Sequence, residues 1–260
     1  MTSGDPLVRV ETDRGVATLT LDSPHNRNAL STTLMTELTA ALATAAADPA
    51  VRVVVLSHTG PVFCSGADLK ETAAAYASGK VPVGMLGDVL AAVAECPKPV
   101  VARIGGPARA GGLGLIAAAD IAICANEATF AFTEVRLGVI PAVISATVLR
   151  RLSPRAAQAL YLTGELFDGA RAVEVGLVTA AVGVEELDAT VRSYCAALVR
   201  GAPGALAGTK ELLVRTPLPS VREDAAELGA HSVGYFLSQE GREGVAAFRE
   251  KRDPAWVPAP

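Results

Sequence analysis

Three apolar runs most constrain what this chain can fold into: VRVVVLSH (51–58), KPVVARI (98–104) and DIAICA (120–125). The first is nearly continuous in β-branched and other apolar residues, so it reads as a buried strand. Helix-period stretches lie between the runs. Ser31 is placed to cap a helix running to about Ala47, with Leu34, Leu38 and Leu42 on one face. A second helix is expected near Leu86–Glu95. Ahead of them, VRVET and VATLTLD flank a tight turn and read as two short strands, Val8 and Val10 forming one apolar side and Ala17, Leu19 and Leu21 another. Past Ala146 the pattern is mainly helical, and the tail HSVGYFLSQEGREGVAAFREKRDPAW reads as two helices parted at Gly241. The chain of 260 residues is therefore expected to be an α/β body, residues 1–195, with a helical C-terminal region, residues 196–260. Half the residues are hydrophobic but only 4 % are aromatic, so the core is built from small side chains.

Charge and cysteine usage exclude several functions. The formal net charge is −4 and no Lys/Arg block is present, which argues against nucleic acid as a partner. Cys64, Cys96, Cys124 and Cys195 show no C-x-x-C spacing, and His25, His58 and His231 are scattered, so no metal site is expected. Free thiols suit a reducing, cytoplasmic compartment. The N-terminal residues lack a signal-peptide pattern. No apolar run reaches the roughly 18–20 residues of a membrane span, since Asp120 interrupts the longest.

Gly112–Ala117 fits G-x-G-x-x-A, a dinucleotide pattern. It lies mid-chain, six or more residues beyond the end of the preceding strand; Asp120 is too close to be the ribose-binding acid and Glu127 follows a second strand. Two other readings stand. The glycines allow a helix to pack closely on the sheet, or the N–H groups of the helix start serve an anion, including one that forms only during a reaction. FCSGADLKE is a second strand–turn–helix junction of the same character. Two such junctions could each aim an N–H at a single oxygen.

FCSGADLKE, followed by KPVVARIGGPARAGGLGLIAAADIAICANEATFAFTEVRLGVIP, resembles the crotonase family, the enoyl-CoA hydratase/isomerase superfamily. The similarity continues in LTGELFDGARAVEVGLVTAAV and EGREGVAAFREKRDPAW and extends upstream to HNRNAL, so it covers nearly the whole chain. The resemblance implies a spiral of ββα units with a C-terminal helical region that assembles trimers, often paired as hexamers. It implies an acyl-CoA thioester substrate and no cofactor beyond the CoA that the substrate carries. The family's oxyanion hole falls on the backbone N–H groups of Ala67 and Gly111. Its CoA contacts fall on Ala67, Asp68, Leu69 and Lys70, with Phe248 and Lys251 at the nucleotide end, sometimes of a neighbouring subunit, and with Arg27 as a further phosphate contact. Its general base falls on Glu134.

The chain departs from the family at one point of chemistry. Typical hydratases carry a second glutamate just after the glycines, and here that position is Gly114. Other branches place a carboxylate eight residues after the base, and here that is Ala142. One carboxylate remains of two. That favours a double-bond shift, which needs a single base, over hydration, which shares its proton traffic. The run GGLGL…FTEVRLGVIPAVIS nevertheless looks more like the hydratase branch. Hydratase is therefore the first expectation, isomerase the second, and acyl-CoA binding without catalysis the third. Acyl-pocket walls are expected from the 72–85 segment and from Val139 and Val143.

Overall fold

The computed structural model describes residues 5–68, 70–73 and 83–258. The three apolar runs form the middle of a six-stranded sheet. In spatial order it contains β1 (Val8–Asp13), β2 (Val16–Leu21), β3 (Val53–His58), β4 (Val100–Ile104), β6 (Ile121–Ala125) and β8 (Ala180–Val182). A second sheet pairs β5 (Ala108–Arg109) with β7 (Phe130–Ala131). Among the described strands of this sheet, only β1 runs antiparallel to its neighbour.

The two-residue period of the strands divides their side chains between two cores. Leu19, Leu21, Val54, Leu56, Val100, Ala102 and Ile104 face the main core. There they meet α1 (Thr32–Ala47), α2 (Val83–Ala94) and α3 (Gly111–Ala118), with α4 (Ala142–Val148), α5 (Pro154–Thr163) and α6 (Gly169–Glu174) beyond. Val53, Val55, Val101, Ile123 and Ala125 face the other way, onto Leu187, Val191 and Cys195 of α7 (Leu187–Leu198). Cover on both faces is why the central strands have no polar alternation. Ser31 caps α1 by accepting from the Leu34 N–H, and Leu34, Leu38 and Leu42 are buried.

Most long strands are followed by a short extended piece and then a helix. The short pieces join one another in a second layer: Leu30 bridges Ala67, Cys64 bridges Ala108, β5 pairs with β7, and Phe130 bridges Phe167. This is the expected repetition of ββα units. Asp120, which breaks the apolar run, accepts from the Val100 N–H and pairs with Lys210 at 2.6 Å.

Four expectations change. Val10 is 49 % exposed although Val8 is buried, because β1 is the edge strand and only its first residue reaches the core. The strand before the glycine motif does not end at Ile104: β5 ends at Arg109, two residues before α3 begins. The helices of the tail part at Ser238, not at Gly241. Ser238 ends α9 (Val221–Leu237) and caps α10 (Gln239–Glu250) through the Gly241 N–H. Gly241 lies inside α10, where a Cβ would collide with the Tyr235 carbonyl. Finally, the sheet-packed body runs to the end of α7, so the division at 195 falls within a helix; α8 (Pro203–Val214) opens the tail. Residues 74–82 of the segment expected to wall the pocket lie outside the described residues. No described helix is long and apolar enough to cross a membrane.

Candidate active site

The loop after β3 and the start of α3 are held face to face by backbone bonds. Phe63 N–H donates to Pro107 O, Arg109 N–H to Cys64 O at 3.0 Å, and Leu30 N–H to Gly66 O at 2.8 Å. Gly66 has φ +89°, in the left-handed region. A Cβ there would stand 2.9 Å from the Ala110 Cβ and 3.5 Å from the Gly111 N, so the two backbones touch at this glycine. Ala110, just before α3, has φ 46° and ψ −117°. Such strain in a non-glycine residue costs on the order of 1–3 kcal/mol and persists only where its surroundings impose it. It turns the chain so that α3 starts abruptly at Gly111. Among the described residues, neither the Ala67 nor the Gly111 N–H has an acceptor. The Gly111 donor also sits at the positive end of α3. Backbone N–H groups of this kind are the donors that serve an oxyanion when they converge on one point.

Glu134 approaches the same place by strand register. Arg109 of β5 is paired with Ala131 of β7, and Ala110 N–H reaches Ala131 O. Gly111 and Glu134 lie two and three residues beyond that pair. Glu134 opens a 3₁₀ turn, Glu134–Leu137, that Gly138 ends in the left-handed region. Its side chain is buried and its Oε2 has no hydrogen-bond partner among the described residues. Burial pushes its carboxyl above the usual carboxylate range. A group in that condition is suited to take up and return a proton.

Gly114 is not an empty place waiting for a carboxylate. A Cβ there would stand 2.7 Å from Ile144 Cγ2, 3.1 Å from Ile144 Cβ and 3.2 Å from Leu90 Cδ1. Side chains of α4 and α2 therefore close the position where other members carry their second acid. Ala142, the alternative position, is exposed at the start of α4.

The rim of the site gathers several of the residues carried over from the family. Arg27 is exposed and left-handed, and its carbonyl accepts from the Ser65 N–H. Its neighbour Asn26 donates to Asp68 at 3.1 Å. Burial opposes the charge on Asp68, but bonds from the Glu71 and Lys70 N–H groups and from Asn26 outweigh it and hold the carboxyl below its usual value. Arg27, Ala67, Asp68 and Lys70 are thus on one edge beside Gly111. Leu69 lies outside the described residues. Phe248 and Lys251 are elsewhere. Both are exposed at the end of α10, whose following segment docks at the opposite end of the sheet. There Trp256 O accepts from Arg52, and Pro258 lies against Gly15. Strands of six residues span about 20 Å, so this chain does not bring its own Phe248 or Lys251 to the Ala67–Gly111 pair.

Sequence reasoning missed Asn28. Buried and left-handed at φ 53°, it accepts from the Ser23 N–H and donates to the Thr59 and Val62 carbonyls. It pins the Arg27 turn to the loop that carries Ala67. An asparagine in a tight turn is visible in HNRNAL, but its three partners are not. Ser145 and Tyr161, near Glu134, give no local signal either.

A family model described as enoyl-CoA hydratase/isomerase matches residues 11–258. The crystal structure of an enoyl-CoA hydratase from Mycobacterium avium is 44 % identical, with a TM-score of 0.73 over 97 % of this chain and 100 % of that one. An enoyl-CoA hydratase structure from Mycobacterium smegmatis is 33 % identical, with a TM-score of 0.88 over 97 % and 99 %. A peroxisomal Delta(3,5)-Delta(2,4)-dienoyl-CoA isomerase of Arabidopsis thaliana is 31 % identical over 96 % of both chains. With its spiral of ββα units and this match across nearly its whole length, the chain belongs to the enoyl-CoA hydratase/isomerase family, the crotonase superfamily.

Proposed function

We propose that the protein adds water across the 2,3 double bond of an enoyl-CoA thioester. The observation that carries this reading is a buried Glu134 Oε2 beside two N–H donors, on Ala67 and Gly111, all three without hydrogen-bond partners among the described residues. The thioester oxygen is held by the two N–H groups. Glu134 takes a proton from water, whose oxygen attacks C3. The π electrons move onto the thioester oxygen as an enolate, which the N–H pair stabilises; one such donor is worth about 10²–10³ in rate. The carbonyl then reforms and C2 takes the proton from Glu134. Water is added in full, and Glu134 ends as it began. No cofactor is needed beyond the substrate's own CoA. Arg27 and Lys70 provide positive charge for its phosphates at the rim, and Asp68 fixes the loop between them.

A second reading has its own support. With Ile144 closing the Gly114 position, one carboxylate suffices for moving a 3,4 double bond to 2,3, Glu134 carrying the proton from C2 to C4. The two readings are separated by offering a 2-enoyl-CoA and a 3-enoyl-CoA of equal chain length and comparing kcat/KM. Water addition to the first supports hydration. Turnover of the 3-enoyl form alone makes the protein an isomerase, and turnover of neither leaves acyl-CoA binding.

The proposal includes assembly as a trimer or a pair of trimers. Leu137, Ile140, Leu162, Leu166, Phe236 and Phe248 are large apolar side chains left exposed on the single chain. In such an assembly Phe248 and Lys251 would serve the nucleotide end of a neighbour's CoA. Four buried, unpaired cysteines support a cytoplasmic setting.

A further inference from the structure

The position of the usual second acid is closed by Ile144 and Leu90, yet a different pair of polar groups stands near Glu134. Ser145 on α4 and Tyr161 on α5 approach to 3.4 Å, Oγ to Oη. Ser145 Oγ is also 2.7 Å from the Pro141 carbonyl. A serine hydroxyl has one proton, and a carbonyl can only accept. The shorter contact therefore takes the Ser145 proton, leaving Ser145 Oγ as acceptor for the Tyr161 O–H. At 3.4 Å that second bond is weak, so its consequence is direction more than strength. Tyr161 then gives its proton to Ser145 and keeps its oxygen lone pairs free. The Tyr161 ring lies 4.6 Å from that of Phe132, two residues before Glu134. Burial raises the Tyr161 pKa against the Ser145 hydrogen bond, which lowers it, and the charge of Glu134 adds to the rise. Glu134 Oε2 is itself without a partner among the described residues. Two acceptors, one carboxylate and one phenol, thus stand on neighbouring segments, Glu134 lying two residues beyond the Phe132 ring that Tyr161 packs against.

We propose that Tyr161, oriented by Ser145, holds the attacking water against Glu134 and so replaces the missing second carboxylate as the second polar arm of the site. The water gives one hydrogen to Glu134 Oε2 and directs the other to Tyr161 Oη. Its oxygen lone pair is then aimed at C3. The water proton passes to Glu134 and on to C2, the oxygen bonds to C3, and Tyr161 and Ser145 are unchanged. This inference rests on the hydratase reading. Tyr161 and Ser145 are positioning residues, because no proton of the net reaction passes through them.

The test compares two rates in the intact protein: hydration of a 2-enoyl-CoA, and hydrogen–deuterium exchange at C2 of the matching saturated acyl-CoA. The exchange needs Glu134 and the N–H pair but no attacking water. Tyr161→Phe keeps the ring and removes the oxygen. It is expected to lower the kcat of hydration about tenfold or more, with KM and C2 exchange within about twofold of wild type. Ser145→Ala frees the Tyr161 proton to turn toward Glu134 Oε2. It is expected to move the acid limb of the kcat/KM profile to lower pH. Undiminished hydration in Tyr161→Phe, an equal fall in hydration and exchange, or an unmoved acid limb in Ser145→Ala would each overturn the proposal. A wild-type protein that exchanges C2 but hydrates nothing instead removes the hydratase reading, which separates the two failures.

Discussion

Gly114 invites an obvious repair, the return of a glutamate, and the structure predicts what that would meet. The smallest step toward it is Gly114→Ala. The new methyl would stand 2.7 Å from Ile144 Cγ2, about 1 Å inside ordinary carbon–carbon contact. Forcing a methyl into a packed core costs about 1–3 kcal/mol. Replacing glycine by alanine inside α3 returns about 1 kcal/mol. The net expectation is a loss of about 1 kcal/mol in spite of the better helix former. Ile144→Ala alone removes the obstructing methyl but opens a cavity, at about 2–5 kcal/mol. In the double variant the methyl introduced at position 114 occupies part of that cavity, so the two costs do not add. A coupling of about 1–3 kcal/mol is expected, the double variant being more stable than the sum of the singles. Urea unfolding of the four proteins measures the cycle. Additivity within about 0.5 kcal/mol, or a Gly114→Ala protein more stable than wild type, would refute the claim that Ile144 fills the place of the second acid. Gly114→Glu is expected to fail in the wild-type background for the same reason, with a buried carboxylate as a further cost.

Four more outcomes concern buried groups. Glu134→Gln is expected to lower kcat by about 10²–10⁴ with CoA affinity unchanged. Because burial raises the Glu134 pKa, the folded state retains this proton above the ordinary carboxylate range, and stability falls as pH rises through the folded value; Glu134→Gln should therefore unfold at a higher temperature than wild type near neutral pH. His58 shows the opposite trend. Burial first, and then the charge of Arg103, lower its pKa against opposing backbone carbonyls, while the Gly105 N–H donates to its Nε2 at 2.9 Å. Below pH about 6.5 the unfolded chain takes up a proton that folded His58 refuses, so stability falls with acid, and His58→Gln should flatten that part of a Tm-against-pH curve. The thiols should be inert in the native protein: burial pushes Cys64 and Cys124 up to about 12 and Cys195 to about 11. A thiol reagent at mildly alkaline pH that rapidly modified any of these three in the folded state would contradict their burial.

Much of the fold is legible in the sequence because its signals are local. Strands buried on both faces must be largely apolar; β6 is so throughout, and β3 is so from Val53 to Leu56. The α1 face declares itself at Leu34, Leu38 and Leu42, and Ser31 marks its start. The resemblance to the crotonases directs attention to Ala67, Gly111 and Glu134, though nothing in the local pattern distinguishes Glu134 from a surface acid. Misreadings arise where the deciding contact is distant. Glycine usually weakens helices, so Gly241 reads as a break, whereas its lack of a Cβ admits the Tyr235 carbonyl. Val10 continues an apolar alternation that the edge of the sheet leaves uncovered.

The sequence by itself determined the order of the elements, the absence of a carboxylate at 114 and 142, and the small-residue core, since these depend on residue type and period. Only the tertiary structure decided that Gly66 and Gly111 abut, that Ile144 closes the Gly114 position, that Ser145 and Tyr161 meet near Glu134, and that Phe248 and Lys251 leave their own chain's site. The physical reason is the same in each case. These are contacts between segments far apart in the chain, set by close packing at ångström tolerance, and no periodicity within one segment encodes the shape of another.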